Sequence, residues 1–151
     1  MRDYLNDRVQ RADDRRQTNK DIMAQKIESF RDLKVYQEAF ALQQEVFEIT
    51  KTFPKEELYS LTDQIRRSSR SIGANIAEAW QKRRYQPYFV SKLTDSDSEQ
   101  AETQHWLDTS YRCDYITNYN HRVLLEKCKE IGRMLNSMIS NPEPFCRRYK
   151  Q

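Results

Sequence analysis

Apolar positions recur along this chain at alternating spacings of four and three, the period that keeps them on one face of an α-helix. The first clear series is Val35, Ala39, Leu42, Val46, Ile49 and Phe53, flanked by Leu33, Tyr36, Phe40 and Phe47, so its apolar face is wide. Asp32 stands near its start and Pro54 ends it. A second series, Leu58, Leu61, Ile65, Ile72, Ile76 and Ala79, runs through a segment dense in Ser68, Ser69, Ser71, Gly73, Ala74 and Ala77. Small residues there let a neighbouring helix come close. Pro87 suits the first turn of a third helix, whose inner positions Phe89, Leu93, Ser96, Gln100, Thr103 and Leu107 turn polar in the middle. The fourth series, Leu124, Cys128, Ile131, Leu135 and Met138, runs until Asn141-Pro142 stops it.

Four helices of about 20 residues, each about 30 Å long, joined by short connections, predict an all-α fold. The simplest packing is an up-down-up-down antiparallel four-helix bundle over residues 30–141. Residues 1–29 form a charged N-terminal extension whose thin apolar series (Leu5, Val9, Ala12, then Ile22, Met23, Ile27) is interrupted from Asp13 to Asp21, so a helical or a disordered segment is expected there. Residues 142–151 form a basic C-terminal tail.

Composition removes much chemistry. Of 151 residues only two are glycine, Gly73 and Gly132, so neither a dinucleotide fingerprint nor a phosphate loop can be written. Two histidines and three scattered cysteines (Cys113, Cys128, Cys146) do not provide the paired short spacings of zinc sites, and the cysteines read as reduced thiols. No apolar run reaches the roughly 20 residues of a spanning helix and the N-terminus has no apolar signal region, which predicts a cytoplasmic protein with no membrane contact. Glu102-Thr103-Gln104-His105 has the Glu-x-x-His spacing of di-iron bundles, but such a site needs two copies and His121 has Asn118 three residues before it. No metal, cofactor or catalytic set is expected, and His105 is read as a partner of Glu102 or Asp108. Ser98, Glu102 and His105 on one helix cannot build an oxyanion hole or a substrate pocket.

Charge distribution changes the picture more. Between Asp63 and Lys92 there are seven basic residues (Arg66, Arg67, Arg70, Lys82, Arg83, Arg84, Lys92) against two acidic ones, a local net of +5. The next sixteen residues hold five acids and no Lys or Arg. At 100° per residue, Arg66, Arg70, Gln81 and Arg84 form a ridge largely opposite the Leu61, Ile65, Ile72, Ile76 stripe. Three readings of the ridge stand side by side. It is a solvated face with exposed ion pairs worth about 0–1 kcal/mol each. It is a phosphate track continued by Lys82, Arg83, Arg84, Arg147, Arg148 and Lys150, with Tyr85, Tyr88 and Tyr149 able to stack on unpaired bases. Or it is an assembly face, because Gly73, Ala74 and Ala77 leave a shallow strip within it. The sequence pI of about 8.7 is below the usual basic-domain level of about 9. Asn75, Glu78, Gln100, Thr103 and Gln104 are expected to form a hydrogen-bond network between helices or subunits. Gly73 and Gly132 fall inside predicted helices, which implies close backbone approach.

The run Leu61-Thr62-Asp63-Gln64-Ile65-Arg66-Arg67-Ser68-Ser69-Arg70-Ser71-Ile72-Gly73-Ala74-Asn75-Ile76-Ala77-Glu78 resembles the signature of a bacterial four-helix bundle family, the proteins encoded in 23S ribosomal RNA intervening sequences, also called S23. Glu102-Thr103-Gln104-His105-Trp106-Leu107-Asp108, Ile131-Gly132-Arg133-Met134-Leu135 and Asn141-Pro142-Glu143 extend the resemblance over about residues 30–146. It implies a left-handed bundle that assembles into a basic ring, a homopentamer. The accessory proteins of diversity-generating retroelements are similar in fold, and there the ring binds nucleic acid and a reverse transcriptase. No catalytic residue carries over. The chain departs from the pattern in its N-terminal extension, at Asp114 where a glycine is usual, and at Pro144 where a lysine is usual. The expectation is a non-enzymatic, homo-oligomeric accessory protein that binds RNA or DNA backbone through Arg66, Arg67, Arg70, Lys82, Arg83, Arg84, Arg147 and Arg148. Gly73, Ala74, Asn75, Ala77, Glu78 and Gly132 serve packing or assembly in this reading. Its partners would be its own copies, RNA or DNA, and a reverse transcriptase or another protein. The alternative is a structural protein–protein interaction module with no nucleic-acid role.

Overall fold

The structure is a computed structural model that describes Gln10 and residues 26–146. Four main helices pack against one another: α1 (Lys34–Thr50), α2 (Leu61–Lys82), α3 (Gln86–Arg112) and α4 (Asn118–Ser140). Each lies against its neighbour in the chain, and α4 closes the up-down-up-down bundle against α1. No strand occurs among the described residues, and no described helix is long and apolar enough to cross a membrane. The expected segment before Lys26, Gln10 apart, and the tail beyond Cys146 lie outside the described residues, as do Arg147 and Arg148.

Helix starts and stops have local causes. Ahead of α1, Ser29 opens a 3-10 turn, Phe30–Asp32: its Oγ accepts from Arg31 N at 3.2 Å, and Asp32 Oδ2 accepts from Ser29 N at 3.0 Å. The chain is extended at Leu33, so α1 begins only at Lys34. After Pro54 a second 3-10 turn, Lys55–Glu57, turns the chain, and the Glu57 carboxylate accepts from Leu61 N at 3.2 Å and Ser60 Oγ at 2.7 Å. Those bonds fix the start of α2 at Leu61. Leu58, expected in the apolar stripe, therefore precedes the helix and is 46% exposed.

α3 ends in a Schellman motif, in which Tyr115 N donates to Ser110 O at 2.9 Å and Asp114 N to Tyr111 O at 3.0 Å. This closure puts Asp114 at φ 60°, the left-handed region that glycine occupies at least cost. Beyond α4 the first residues of the expected tail form a short turn of helix, α5 (Glu143–Cys146), whose Phe145 ring stacks on Phe89 at 5.8 Å.

The core is the sum of the four stripes. Val35, Ala39, Leu42, Val46, Ile65, Ile72, Ile76, Phe89, Leu93, Leu107, Leu124, Cys128, Ile131, Leu135 and Met138 are all buried. The polar middle of α3 is buried too, and its Ser96 and Thr103 face the small residues of α2. Ser96 Oγ donates to Ile72 O at 2.8 Å, and Thr103 Oγ1 lies 3.0 Å from Ser68 Oγ. Serines and threonines with satisfied hydroxyls let α2 and α3 approach closely, each such bond being worth about 0.5–1.5 kcal/mol net. Among the described residues no buried side-chain nitrogen or oxygen lacks a partner.

Candidate functional site

Helical rotation splits the basic residues of α2 into three groups. Arg66 and Arg70 lie on the side toward α1. The Arg66 guanidinium sits 4.9 Å from the centroid of the Phe47 ring and donates through Nε to Thr50 Oγ1 at 2.8 Å. Thr50 is buried and Arg66 is half-buried, so this arginine ties α2 to the end of α1. Arg70 lies 5.7 Å over the same ring and stays exposed. The ridge is thus anchored on α1 rather than turned fully away from the core. Phe47 explains the tilt: its ring face attracts a guanidinium, at about 0.5–1 kcal/mol for an exposed pair.

Arg67 is one residue and 100° further round, on the side toward α3. It approaches Asp63 at 3.7 Å and lines a small polar cleft with Gln64, Ser68, Ser71, Glu99 and Glu102. Burial, and then the neighbouring Glu102 carboxylate, push Glu99 above the ordinary carboxylate range.

The third group stands at the end of the bundle. Lys82 and Arg84 are exposed at the α2–α3 turn, and the Arg83 guanidinium lies 3.8 Å over the Trp80 ring while donating to Trp80 O at 2.7 Å. Tyr85 and Tyr88 follow at once, 56% and 59% exposed, with their ring centroids 4.8 Å apart and edge to face. Lys92, part of the same local charge in sequence, does not join the ridge. Glu78 at 3.1 Å and Asp95 at 3.4 Å hold it on the α3 side, and Asn75 Oδ1 accepts from it at 3.3 Å. The Glu78 contact raises its pKa above the ordinary lysine value.

Between Arg70 and Lys82 the surface toward α1 carries small residues. Ala74 is exposed, Ala77 half-buried, and Gly73 lies under the Tyr36 ring of α1, where an added Cβ would stand 3.6 Å from Tyr36 Cε2. Tyr36 in turn packs beside Phe40, 47% exposed, at 6.2 Å. An aromatic and small-residue patch therefore interrupts the basic side.

The expected polar network divides in two. Asn75 and Glu78 meet Lys92. Gln100 donates to Asp97 Oδ1 at 3.0 Å and accepts from Gln104 at 2.7 Å, while Thr103 turns inward to Ser68. Gln100 fills the space beside Gly132, where a Cβ would stand 2.9 Å from its Nε2. At both glycines the close neighbour is a side chain, not a backbone. His105 is edge-on to Trp106 at 4.6 Å. The two acids expected to pair with it are engaged elsewhere, Asp108 with His121 at 2.7 Å and Glu102 with the Trp106 indole at 3.2 Å. Cys128 is buried, which pushes its thiol up to about 12 and leaves it inert as a nucleophile. No group of three or more metal-ligating side chains comes together among the described residues.

Phe47, Thr50 and Tyr36 are the side chains that the sequence did not mark. Tyr36 and Phe47 showed only as apolar width on the α1 stripe, beyond what a single partner helix needs, and Thr50 gave no signal.

Residues 31–137 match the family described as 23S rRNA-intervening sequence protein. Among solved structures, the chain is similar to a protein of unknown function from the S23 ribosomal protein family of Bacteroides thetaiotaomicron. The two share 30% sequence identity at a TM-score of 0.65, over 71% of this chain and 96% of that one. No curated protein matches the chain.

Proposed function

Since the chain belongs to the 23S rRNA-intervening sequence protein family, we propose that it is a non-enzymatic, homo-oligomeric accessory protein that holds RNA or DNA by its phosphates along the basic side of α2. The observation that carries this reading is the placement of exposed cations on one helix. Arg70 and Lys82 are twelve residues apart, about 18 Å along the axis and about 120° round it at 100° per residue, so the track winds from the side toward α1, past the exposed small residue Ala74, to the side toward α3. That length spans about five phosphates of one strand at about 3.4 Å each. Arg84 extends the track past the turn, and Arg66, anchored on Thr50 and Phe47, fixes where the track begins. Contacts of this kind position a nucleic acid without reading its bases. The partners are copies of the chain, in the cytoplasm, and a nucleic acid, with a reverse transcriptase or another protein as a further client of the assembled ring.

A second reading is supported by the patch at Tyr36, Phe40, Gly73, Ala74 and Ala77. An exposed aromatic beside small residues suits a subunit contact, and in a purely structural module the flanking arginines would meet acids of the next copy. One double variant separates the two. Arg70→Gln with Lys82→Gln should lower affinity for a random-sequence RNA while the mass in solution by light scattering stays unchanged. A fall in mass with unchanged RNA affinity would overturn the nucleic-acid reading in favour of the structural one.

A further inference from the structure

Tyr85 and Tyr88 are large rings left more than half exposed, side by side, at the turn where Lys82 ends α2 and Arg83 and Arg84 follow it. Their inner neighbour Phe89 is buried and already stacked on Phe145, so the core makes no demand on the two tyrosines. Edge-to-face packing at 4.8 Å holds the pair in a fixed corner and leaves ring surface open to solvent. Tyr85 directly precedes α3 and Tyr88 is in its first turn, with Pro87 between them restricting the backbone. Little conformational freedom is left to lose when a ligand stacks there.

The ligand chemistry follows from what a flat, uncharged π-surface beside cations can recognise. A duplex offers this corner only phosphates, because its bases are stacked on each other. An unpaired strand offers phosphates and open base faces together, and stacking on aromatic side chains is the usual way such strands are held. From this corner we infer that the α2–α3 turn is a single-strand subsite: Lys82 and the adjoining arginines meet the backbone while Tyr85 and Tyr88 stack on unpaired bases. The inference rests on the proposed nucleic-acid role and sharpens it, since it assigns the end of the track to an unpaired segment or overhang rather than to a helix.

The test uses the full chain and two fluorescein-labelled probes, an oligo(dT) of about 12 nucleotides, within the site sizes of known single-strand binders, and a blunt duplex of the same length. Each is titrated by fluorescence anisotropy at fixed salt. Replacing one stacking aromatic by alanine lowers single-strand affinity by about 5- to 150-fold. Tyr85→Ala with Tyr88→Ala should therefore weaken oligo(dT) binding by about tenfold or more and leave duplex binding within about twofold. Tyr85→Phe with Tyr88→Phe keeps both rings and should restore oligo(dT) binding. Circular dichroism of both variants checks that the fold is retained. Equal losses for the two probes, or a silent alanine variant on a wild-type protein that binds both, would overturn the single-strand subsite and leave phosphate binding standing. A wild-type protein that binds neither probe would overturn both.

Discussion

The two glycines make opposite demands, and substituting each by alanine reads that difference in stability. Both lie in helix interiors, where glycine is less favourable than alanine by about 0.8–1.0 kcal/mol. At Gly73 the new methyl would stand 3.6 and 3.8 Å from the Tyr36 ring, ordinary van der Waals contact. Gly73→Ala should therefore gain nearly the full helix term, about 1 kcal/mol. At Gly132 the methyl would stand 2.9 Å from Gln100 Nε2 and 3.3 Å from its Cδ. Gln100 is buried and held at both ends of its amide, by Asp97 and Gln104, so it cannot swing aside without breaking those bonds. Breaking the two costs about 1–3 kcal/mol, which offsets or exceeds the helix gain, and Gly132→Ala should be neutral to destabilising by about 2 kcal/mol. Removing the obstacle should reverse the sign. In a Gln100→Ala background, Gly132→Ala should stabilise by about 1 kcal/mol, a coupling of about 1–3 kcal/mol between the two sites. Urea unfolding followed by circular dichroism at one protein concentration measures all of these. Equal stabilisation by Gly73→Ala and Gly132→Ala in the wild-type background, or additivity of Gly132→Ala with Gln100→Ala, would refute this packing of Gln100 against Gly132.

Other expectations follow from single residues. Asp114 carries both a left-handed backbone and a negative charge at the C-terminal end of α3. Asp114→Gly relieves both, so it should stabilise by about 1 kcal/mol and raise Tm by about 2–4 °C in a scanning calorimeter, with Asp114→Asn intermediate. Glu99 has its folded pKa raised by burial and by Glu102, so its ionisation works against the fold. Whatever stability it contributes is present below the unfolded carboxylate value and is lost as pH rises through the folded one. Glu99→Gln should therefore stabilise at pH 7 by about 0.2–0.5 kcal/mol, the scale of like-charge pairs on a helix, with the advantage gone in melts near pH 4. An advantage that persists or grows in acid would show that Glu99 is not the strained carboxylate.

Much of the architecture was legible because helical period and burial coincide. Ile65, Ile72 and Ile76, or Leu124, Cys128, Ile131 and Leu135, announce the buried side of a helix without reference to any neighbour. Even the polar middle of α3 held its place in the stripe, since Ser96 and Thr103 find partners on α2. Period alone could not place Leu58, because the start of α2 depends on a carboxylate, Glu57, reaching forward to Leu61 N. Nor could it place the arginines. Periodicity gives direction around one helix but not the rotation of that helix against its neighbour, so the meeting of Arg66 with Thr50 and Phe47, and of Lys92 with Glu78, appears only once α1, α2 and α3 are packed. Gly132 is a similar case. Its sequence neighbours say nothing of Gln100, which arrives from α3.

The salt dependence of nucleic-acid affinity tests the proposed role most directly. Each phosphate neutralised by Lys or Arg adds about 0.7–0.9 to the slope of log K against log salt. Wild-type protein should bind a labelled RNA with a slope of several units. Arg70→Gln, Lys82→Gln and Arg84→Gln together should lower that slope by about one unit for each phosphate no longer neutralised, with little dependence on RNA sequence. A triple variant with the wild-type affinity and slope would contradict the claim that these cations meet phosphates.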